Sequence, residues 1–168
     1  MPNWCEGKLK IRGKKSDLLK WLMECVACWK PDVLPDVPFP NNLVERKVPN
    51  CVSIEFPFDD EVHILIKELA YIDGTRRNFV KKYEGDVIFG AEDERDIMVL
   101  PIQAAWAMDP TPYQAMSEKY NVDFRFYGYE RGMEFNQEIE VIGGKLTIYQ
   151  EIEYSDYRWE CPDPDLGG

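Results

Sequence analysis

The sequence predicts an α+β fold, an antiparallel sheet backed by helices around a ferredoxin-like core. Three features carry that expectation. The opening strand alternates strictly between apolar and polar residues, two stretches show helical spacing or helix-start chemistry, and three strand patterns near the end are joined by short glycine turns. A strand, a helix and then a meander of strands is the order of a helix-backed, ferredoxin-like layer.

Each element follows from local chemistry. From Trp4 to Arg12, the residues Cys5, Gly7, Leu9 and Ile11 alternate with Glu6, Lys8, Lys10 and Arg12, so one side is core and the other is wet and basic. After Gly13, Ser16 is the expected N-cap of a helix with Asp17 in its first turn; Leu18, Leu19, Leu22, Cys25, Val26 and Trp29 then recur at helical spacing. From Pro31 to Pro57 the chain carries six of its twelve prolines, which predicts an extended surface connection with at most a short strand from Cys51 to Phe56. Val62 to Ile72 fits strand or helix, and a short helix from Thr75 to Tyr83 and a strand from Val87 to Phe89 are expected next.

Gly90 to Asp96 reads as an acidic loop, and Ile97 to Ala105 as a largely apolar strand interrupted by Pro101. Thr111, Pro112 and Gln114 have the pattern of a capping box for a helix running to Tyr120. The last strands are expected from Val122 to Glu130, Met133 to Ile142 and Lys145 to Tyr154, with two-residue turns at Arg131-Gly132 and Gly143-Gly144. Trp4, Trp106, Phe124, Phe126 and Phe135 are expected in the core, and Gly132 at a positive φ.

A chain of 168 residues fits one domain spanning 1–168, with the ferredoxin-like core at about 97–155 joined by the strand and helix of 1–30, and with 161–168 as a disordered tail. The opening MPNWCEGKLK lacks the apolar stretch of a signal peptide, and no run of about 18 apolar residues occurs, so a cytoplasmic protein is expected. Five cysteines, an odd number, suit reduced thiols better than a disulfide framework. The net charge of −11 is uneven: residues 1–20 hold six basic and two acidic groups, whereas residues 121–168 hold four basic and eleven acidic groups. Such a chain is repelled by nucleic acid over most of its surface and attracted to basic partners.

Two stretches resemble the YubB-like, ferredoxin-like domain family of bacteriophages and plasmids. One is the opening MPNWC with its strand and glycine, Trp4 to Gly13; the other comprises Gln103, Ala104, Ala105, Trp106, Asp109, Pro110 and Pro112, then Tyr120, Phe124, Tyr127, Glu130, Gly132 and Phe135. Glu6-Gly7 departs from the family's usual asparagine, and the middle third matches nothing in it. The resemblance implies a fold and a mobile-element origin in a bacterial host, and it transfers no catalytic residue.

No constellation spells out a reaction. Cys25-x-x-Cys28 lies in the last turns of the expected helix, where a thiol gains no lowered pKa, and no second pair at zinc spacing accompanies it. His63 is the only histidine and has no nucleophile motif around it. The expectation is therefore a protein that is not an enzyme and that uses no metal or cofactor.

The sharper feature is acidic. Glu134, Glu138 and Glu140 fall on one face of their strand, and Glu151 and Glu153 alternate with Leu146, Ile148 and Ile152 on the next, which predicts one apolar face and one ladder of carboxylates. Glu92, Asp93, Glu94 and Asp96 form a second acidic patch. Carboxylates about 6.6 Å apart along a strand are spaced comparably to backbone phosphates. These nine residues are the expected contact surface of an accessory protein that binds a basic host protein handling nucleic acid, as an anti-CRISPR or anti-restriction inhibitor would by imitating nucleic-acid charge. No membrane partner is expected. The alternative is a nucleic-acid-binding domain using the basic first strand, with Lys8, Lys10, Arg12, Lys14 and Lys15 along the phosphates; the overall charge works against it.

Overall fold

A computed structural model describes residues 3–26, 46–47 and 52–168. Strand β1 (Trp4–Gly13) is followed by helix α1 (Lys15–Trp21), which passes into a π-helical turn at Leu22–Val26. Short strand β2 (Arg46–Lys47), β3 (Val52–Phe58), β4 (Glu61–Ile66), β5 (Ala70–Tyr71), β6 (Asn78–Val80), β7 (Tyr83–Ile88) and β8 (Asp96–Ala105) lead to helix α2 (Thr111–Tyr120). Strands β9 (Asp123–Glu130), β10 (Phe135–Ile142) and β11 (Lys145–Glu153) and a single helical turn, α3 (Tyr157–Glu160), complete the chain. The strands form a seven-stranded sheet in the order β11-β10-β9-β1-β8-β6-β5 and a four-stranded sheet in the order β2-β3-β4-β7, every pairing antiparallel.

The alternation of β1 decides how this sheet is covered. Leu9 and Ile11 point to one side and are fully buried, and the residues paired with them, Leu100 and Phe126, Met98 and Phe124, lie on that side too. Helix α1 supplies Leu18, Leu19 and Trp21 to this core, and α2 supplies Tyr113 and Met116. The Phe124 ring sits between them, edge-on to Trp21 at 5.6 Å and to Tyr113 at 5.2 Å between ring centres. The inner face of the smaller sheet, Val52, Ile54, Val62, Ile64, Ile66 and Val87, joins the same cluster. Helices and second sheet thus share one face of the large sheet. Its other face, which carries Glu6, Lys8, Lys10 and Arg12, is covered by neither α1, α2 nor the second sheet; only the α3 turn packs on it, at the β10 end, where Tyr157 bonds Asn136.

Several sequence expectations change on folding. Ser16 is a first-turn residue, since Lys14 is the N-cap and no side chain caps the helix. Pro110, rather than Thr111, is the N-cap of α2, and the Asp109 carboxylate accepts the Thr111 N–H at 2.9 Å. The expected helix from Thr75 to Tyr83 is instead a turn followed by β6, because Asn78 and Val80 are buried against Ala104 and Ile102 of β8. The ambiguous stretch from Val62 resolves into strand, with a break before β5. Between β9 and β10 the turn takes four residues, and the positive φ falls on Glu134 at 62°, not on Gly132. Gly143 and Gly144 do form the expected tight turn, with φ of 54° and 76°. Cys28, Trp29 and Cys51 lie outside the described residues.

Gly7 is required for a different reason: a Cβ there would run into the backbone of Tyr127 on β9. Residues 161–168, expected to be disordered, are placed against the sheet. Cys161 is buried, and the Gly168 N–H donates to the Trp4 carbonyl at 2.8 Å.

Burial on one face only makes a direct prediction. Leu9→Ala should cost about 3 kcal/mol in urea unfolding, a cavity cost, while Lys10→Ala, one residue away on the exposed face, should stay within about 0.5 kcal/mol.

Candidate functional site

The uncovered face of the large sheet is a shallow groove of about 750 Å³ built around β1. Pairing register assembles it. Lys8 stands between Pro101 of β8 and Tyr127 of β9, and Lys10 between Val99 and Arg125, so the even-numbered residues of β1 and the odd-numbered residues of both neighbours share this face. Lys8, Lys10, Lys81, Arg125, Tyr127 and Tyr129 line it. The two tyrosine rings meet edge to face at 5.3 Å, and the Tyr127 hydroxyl accepts from Asn136 Nδ2 at 3.1 Å.

The cations of the groove fall into two groups. Lys81 Nζ pairs with Glu6 at 2.5 Å, and Arg125 spans Glu138 at 2.5 Å and Glu140 at 3.1 Å. Arg12 binds Asp123 at 2.7 Å at the end of β1, where Arg95 also reaches that buried carboxylate at 3.1 Å. Lys8 and Lys10 are exposed, and among the described residues no carboxylate comes within ion-pair distance of either. The centre of the groove therefore holds two uncompensated positive charges beside aromatic rings.

Aromatic surface continues toward the start of β1. Trp4 meets Phe79 of β6 at 6.0 Å, and Phe79 meets Tyr71 of β5 at 5.6 Å. Beyond β8, Trp106 is 49% exposed although the sequence placed it in the core. Its φ of 64° turns it away from the strand direction of β8, so its ring leaves the core face.

Asn136 anchors the final segment to one rim. It is fully buried, donates to the hydroxyls of Tyr127 and Tyr154, and accepts the Tyr157 hydroxyl at 3.1 Å. The chain then crosses the sheet end, bringing Asp163 and Leu166 to the groove wall, while Arg131 donates to the Asp165 carbonyl at 3.3 Å. Burial pushes the Tyr157 hydroxyl well above its ordinary pKa, so it stays a proton donor to Asn136.

The register redistributes the predicted acidic ladder. Glu138 and Glu140 lie on the open face, whereas Glu151 and Glu153 pair with Gln137 and Phe135 on the helix-covered side. A bulge between Glu140 and Val141 leaves the offset that puts Ile148 opposite Glu140, so the apolar and acidic residues of β11 do not sort onto the faces that alternation alone suggests. Glu134 is exposed in the β9–β10 turn. Of the second patch, Asp93 pairs with Lys14 at 2.9 Å, which holds its carboxyl below the usual range, and Asp96 accepts the Gly90 N–H at 3.1 Å; Glu92 and Glu94 are exposed. The nine carboxylates do not form one surface.

Burial pushes the Cys5 thiol up to about 12 and the Cys25 thiol up to about 11, so both stay protonated and weakly nucleophilic at neutral pH. No described helix is long and apolar enough to cross a membrane. Besides Lys81, the members of the groove that sequence reasoning missed are Arg125, Tyr127 and Tyr129 on β9. Their signal was present, since they alternate along β9 in the same phase as Lys8 and Lys10 along β1, but it becomes readable only once β9 is known to pair with β1. No family model, curated protein or solved structure matches the chain. The resemblance to the YubB-like domain rests on the sequence motifs alone.

On the outer face of the smaller sheet, His63 Nδ1 bonds Asp86 at 2.6 Å, with Glu55 paired beside it and Glu84 and Glu61 nearby. The Asp86 hydrogen bond raises the His63 pKa above its ordinary 6.5. Stability from this pair is therefore fully present below about 6.5 and lost as pH rises through the higher folded value. Thermal melts of wild type and His63→Gln should differ most near pH 6 and converge near pH 9.

Proposed function

We propose that the protein is a non-enzymatic binding module that takes single-stranded nucleic acid along the open face of its large sheet. The observation that carries this reading is the placement of Lys8 and Lys10, exposed and without a described carboxylate partner, beside Tyr127 and Tyr129 in the groove. Unpaired bases stack on aromatic rings while the phosphates follow cationic side chains, a combination that duplexes, with their bases already stacked, do not exploit.

The strand order supports a ferredoxin-like core for this module. Strands β9-β1-β8-β6 run as four antiparallel neighbours; β8 and β9 flank β1 and are joined across it by α2, and β1 and β6 flank β8 and are joined by a connection that includes α1 and strands β2 to β5. Ferredoxin-like sheets that do bind RNA use surface aromatics on the sheet to stack bases.

The net charge of −11 does not forbid the reading. Charges are screened over about 8 Å at physiological salt, and a packed layer is about 10 Å thick. Carboxylates beyond the helix layer thus act weakly on the open face. Of those on it, Glu6, Glu138 and Glu140 are already paired, which leaves Asp163 on the groove wall as the lining carboxylate with no cation in ion-pair range among the described residues. The same module fits an accessory protein of a mobile element working in the cytoplasm of a bacterial host.

Fluorescence anisotropy with a labelled 12-nucleotide single strand tests the proposal. Two phosphates neutralised by Lys8 and Lys10 give a salt slope of about −1.4 and hence about a sevenfold loss of affinity between 50 and 200 mM salt. Lys8→Glu with Lys10→Glu should abolish binding. Absence of binding by the wild type, or binding that ignores salt, rules the reading out.

A second reading, the acidic accessory protein that docks on a basic host protein, is favoured by one observation. Glu134, Glu151 and Glu153 are exposed with no described cation in ion-pair range. Affinity capture from nuclease-treated bacterial lysate should then retain a nucleic-acid-handling protein on the wild type and lose it on the triple Glu→Gln variant; equal capture by both removes this reading.

A further inference from the structure

Two neighbouring residues with side chains occupy the left-handed backbone region at the end of the sheet where β1 begins. Trp106 has a φ of 64° and Arg77 a φ of 58°. Such conformations are uncommon for bulky residues and persist where the surroundings hold them. Here the surroundings do hold them. The Trp106 N–H donates to the Asn3 carbonyl at 2.8 Å, and the Ala105 N–H donates to the Arg77 carbonyl at 3.2 Å. The arrangement leaves the indole half in solvent instead of packing it.

The guanidinium groups of Arg76 and Arg77 lie 5.9 and 5.8 Å from the centre of that ring. Both arginines are exposed, and among the described residues neither has a carboxylate within ion-pair distance, whereas Arg12, Arg95 and Arg125 are all paired. Each guanidinium keeps five N–H donors in a fork that matches phosphate oxygens. An exposed ring with two free forks beside it is suited to a ligand that is planar at one end and doubly anionic or phosphodiester at the other.

We infer that Trp106, Arg76 and Arg77 form a separate station for one nucleotide, with its base on the indole and its phosphate held by the two guanidinium groups. The station continues the track of the open face: Ala105, which precedes Trp106, pairs with Trp4, and Trp4 leads through Glu6 to Lys8 and Lys10. From Trp4 to Lys10 the strand covers about 20 Å, so a bound strand that reaches both ends spans several nucleotides. The inference rests on the reading of the open face as a nucleic-acid track, and it adds residues in the turn before β6 and directly after β8.

The test uses the full chain and the same labelled 12-nucleotide strand. Trp106→Gly removes the ring at a position whose backbone favours glycine, and Trp106→Phe restores an aromatic face. The expected result is a fivefold to 100-fold loss of affinity for Trp106→Gly, on the order carried by one base stacked on an aromatic ring, with most of it recovered in Trp106→Phe. Arg76→Gln with Arg77→Gln should weaken binding about tenfold or more and remove the part of the salt slope beyond the value of about −1.4 set by Lys8 and Lys10. In the wild type, a 5′-mononucleotide should quench tryptophan fluorescence, adenosine and inorganic phosphate should do so less, and the signal should survive Lys8→Glu with Lys10→Glu. If the 12-nucleotide strand binds and depends on Lys8 and Lys10 while the Trp106 and arginine variants bind as tightly as wild type, the station is refuted and the groove reading stands. If the strand does not bind while the mononucleotide still quenches through Trp106, the groove reading fails and the station stands alone. A Trp106→Phe variant no better than Trp106→Gly also refutes it, since stacking is then not what the ring contributes.

Discussion

The rest of the structure depends on β1 being hydrogen-bonded on both sides while buried on only one face. A strand paired to β8 and β9 has its backbone groups satisfied in the sheet, so its two side-chain rows are free to serve opposite purposes. Leu9 and Ile11 key the helices and the smaller sheet to one face. Glu6, Lys8, Lys10 and Arg12 are thereby committed to the other, because the period of a strand is two and a shift of one residue would bury four charges. Gly7 lets β9 approach closely enough for this pairing, since any side chain there would meet the Tyr127 backbone. The position of the groove is in this sense a consequence of how the core is built.

Charge is distributed by the same constraint. Most of the acidic excess lies on surfaces away from the open face or is consumed by cations already held on it, as with Glu138 and Glu140 against Arg125. Asp123 shows how far this goes: a buried carboxylate is tolerable at the end of the sheet because Arg12, Arg95 and the Gly143 N–H all donate to it. After these pairings, the lysines in the middle of β1 are left over. An acidic protein can present a locally cationic groove because short-range pairing and salt screening decide the field at contact distance, whereas net charge governs the field far away.

The far end of the sheet is built with less regard for backbone comfort. The final segment is fastened by Asn136, whose amide meets three tyrosine hydroxyls, and Gly168 closes on Trp4. Nearby, Arg77 and Trp106 hold left-handed conformations where glycine would be unstrained. A core-packing role for Trp106 does not account for an exposed ring, and the two guanidinium groups beside it do not relieve the strain. Both features lie at the end of the sheet where β1 begins.

Sequence by itself determined the class of the fold, the first strand with its two faces, both principal helices, the three-strand meander and the glycine turn at 143–144, because each is written in residues close along the chain. It also marked Lys8 and Lys10 as a wet basic row. Only the tertiary structure decided which rows share a face. Strand β9 pairs with β1, so Tyr127 and Tyr129 stand beside the lysines, and β11 pairs with β10 through a bulge, so Glu151 and Glu153 leave the face of Glu138 and Glu140. The same holds for Asn78 to Val80, a strand because β8 offers it partners and a buried seat, and for Trp106, exposed because of one backbone angle. The physical reason is that periodicity specifies a strand's two sides, while register, bulges and pairing order, which depend on residues far apart in the chain, specify what those sides meet.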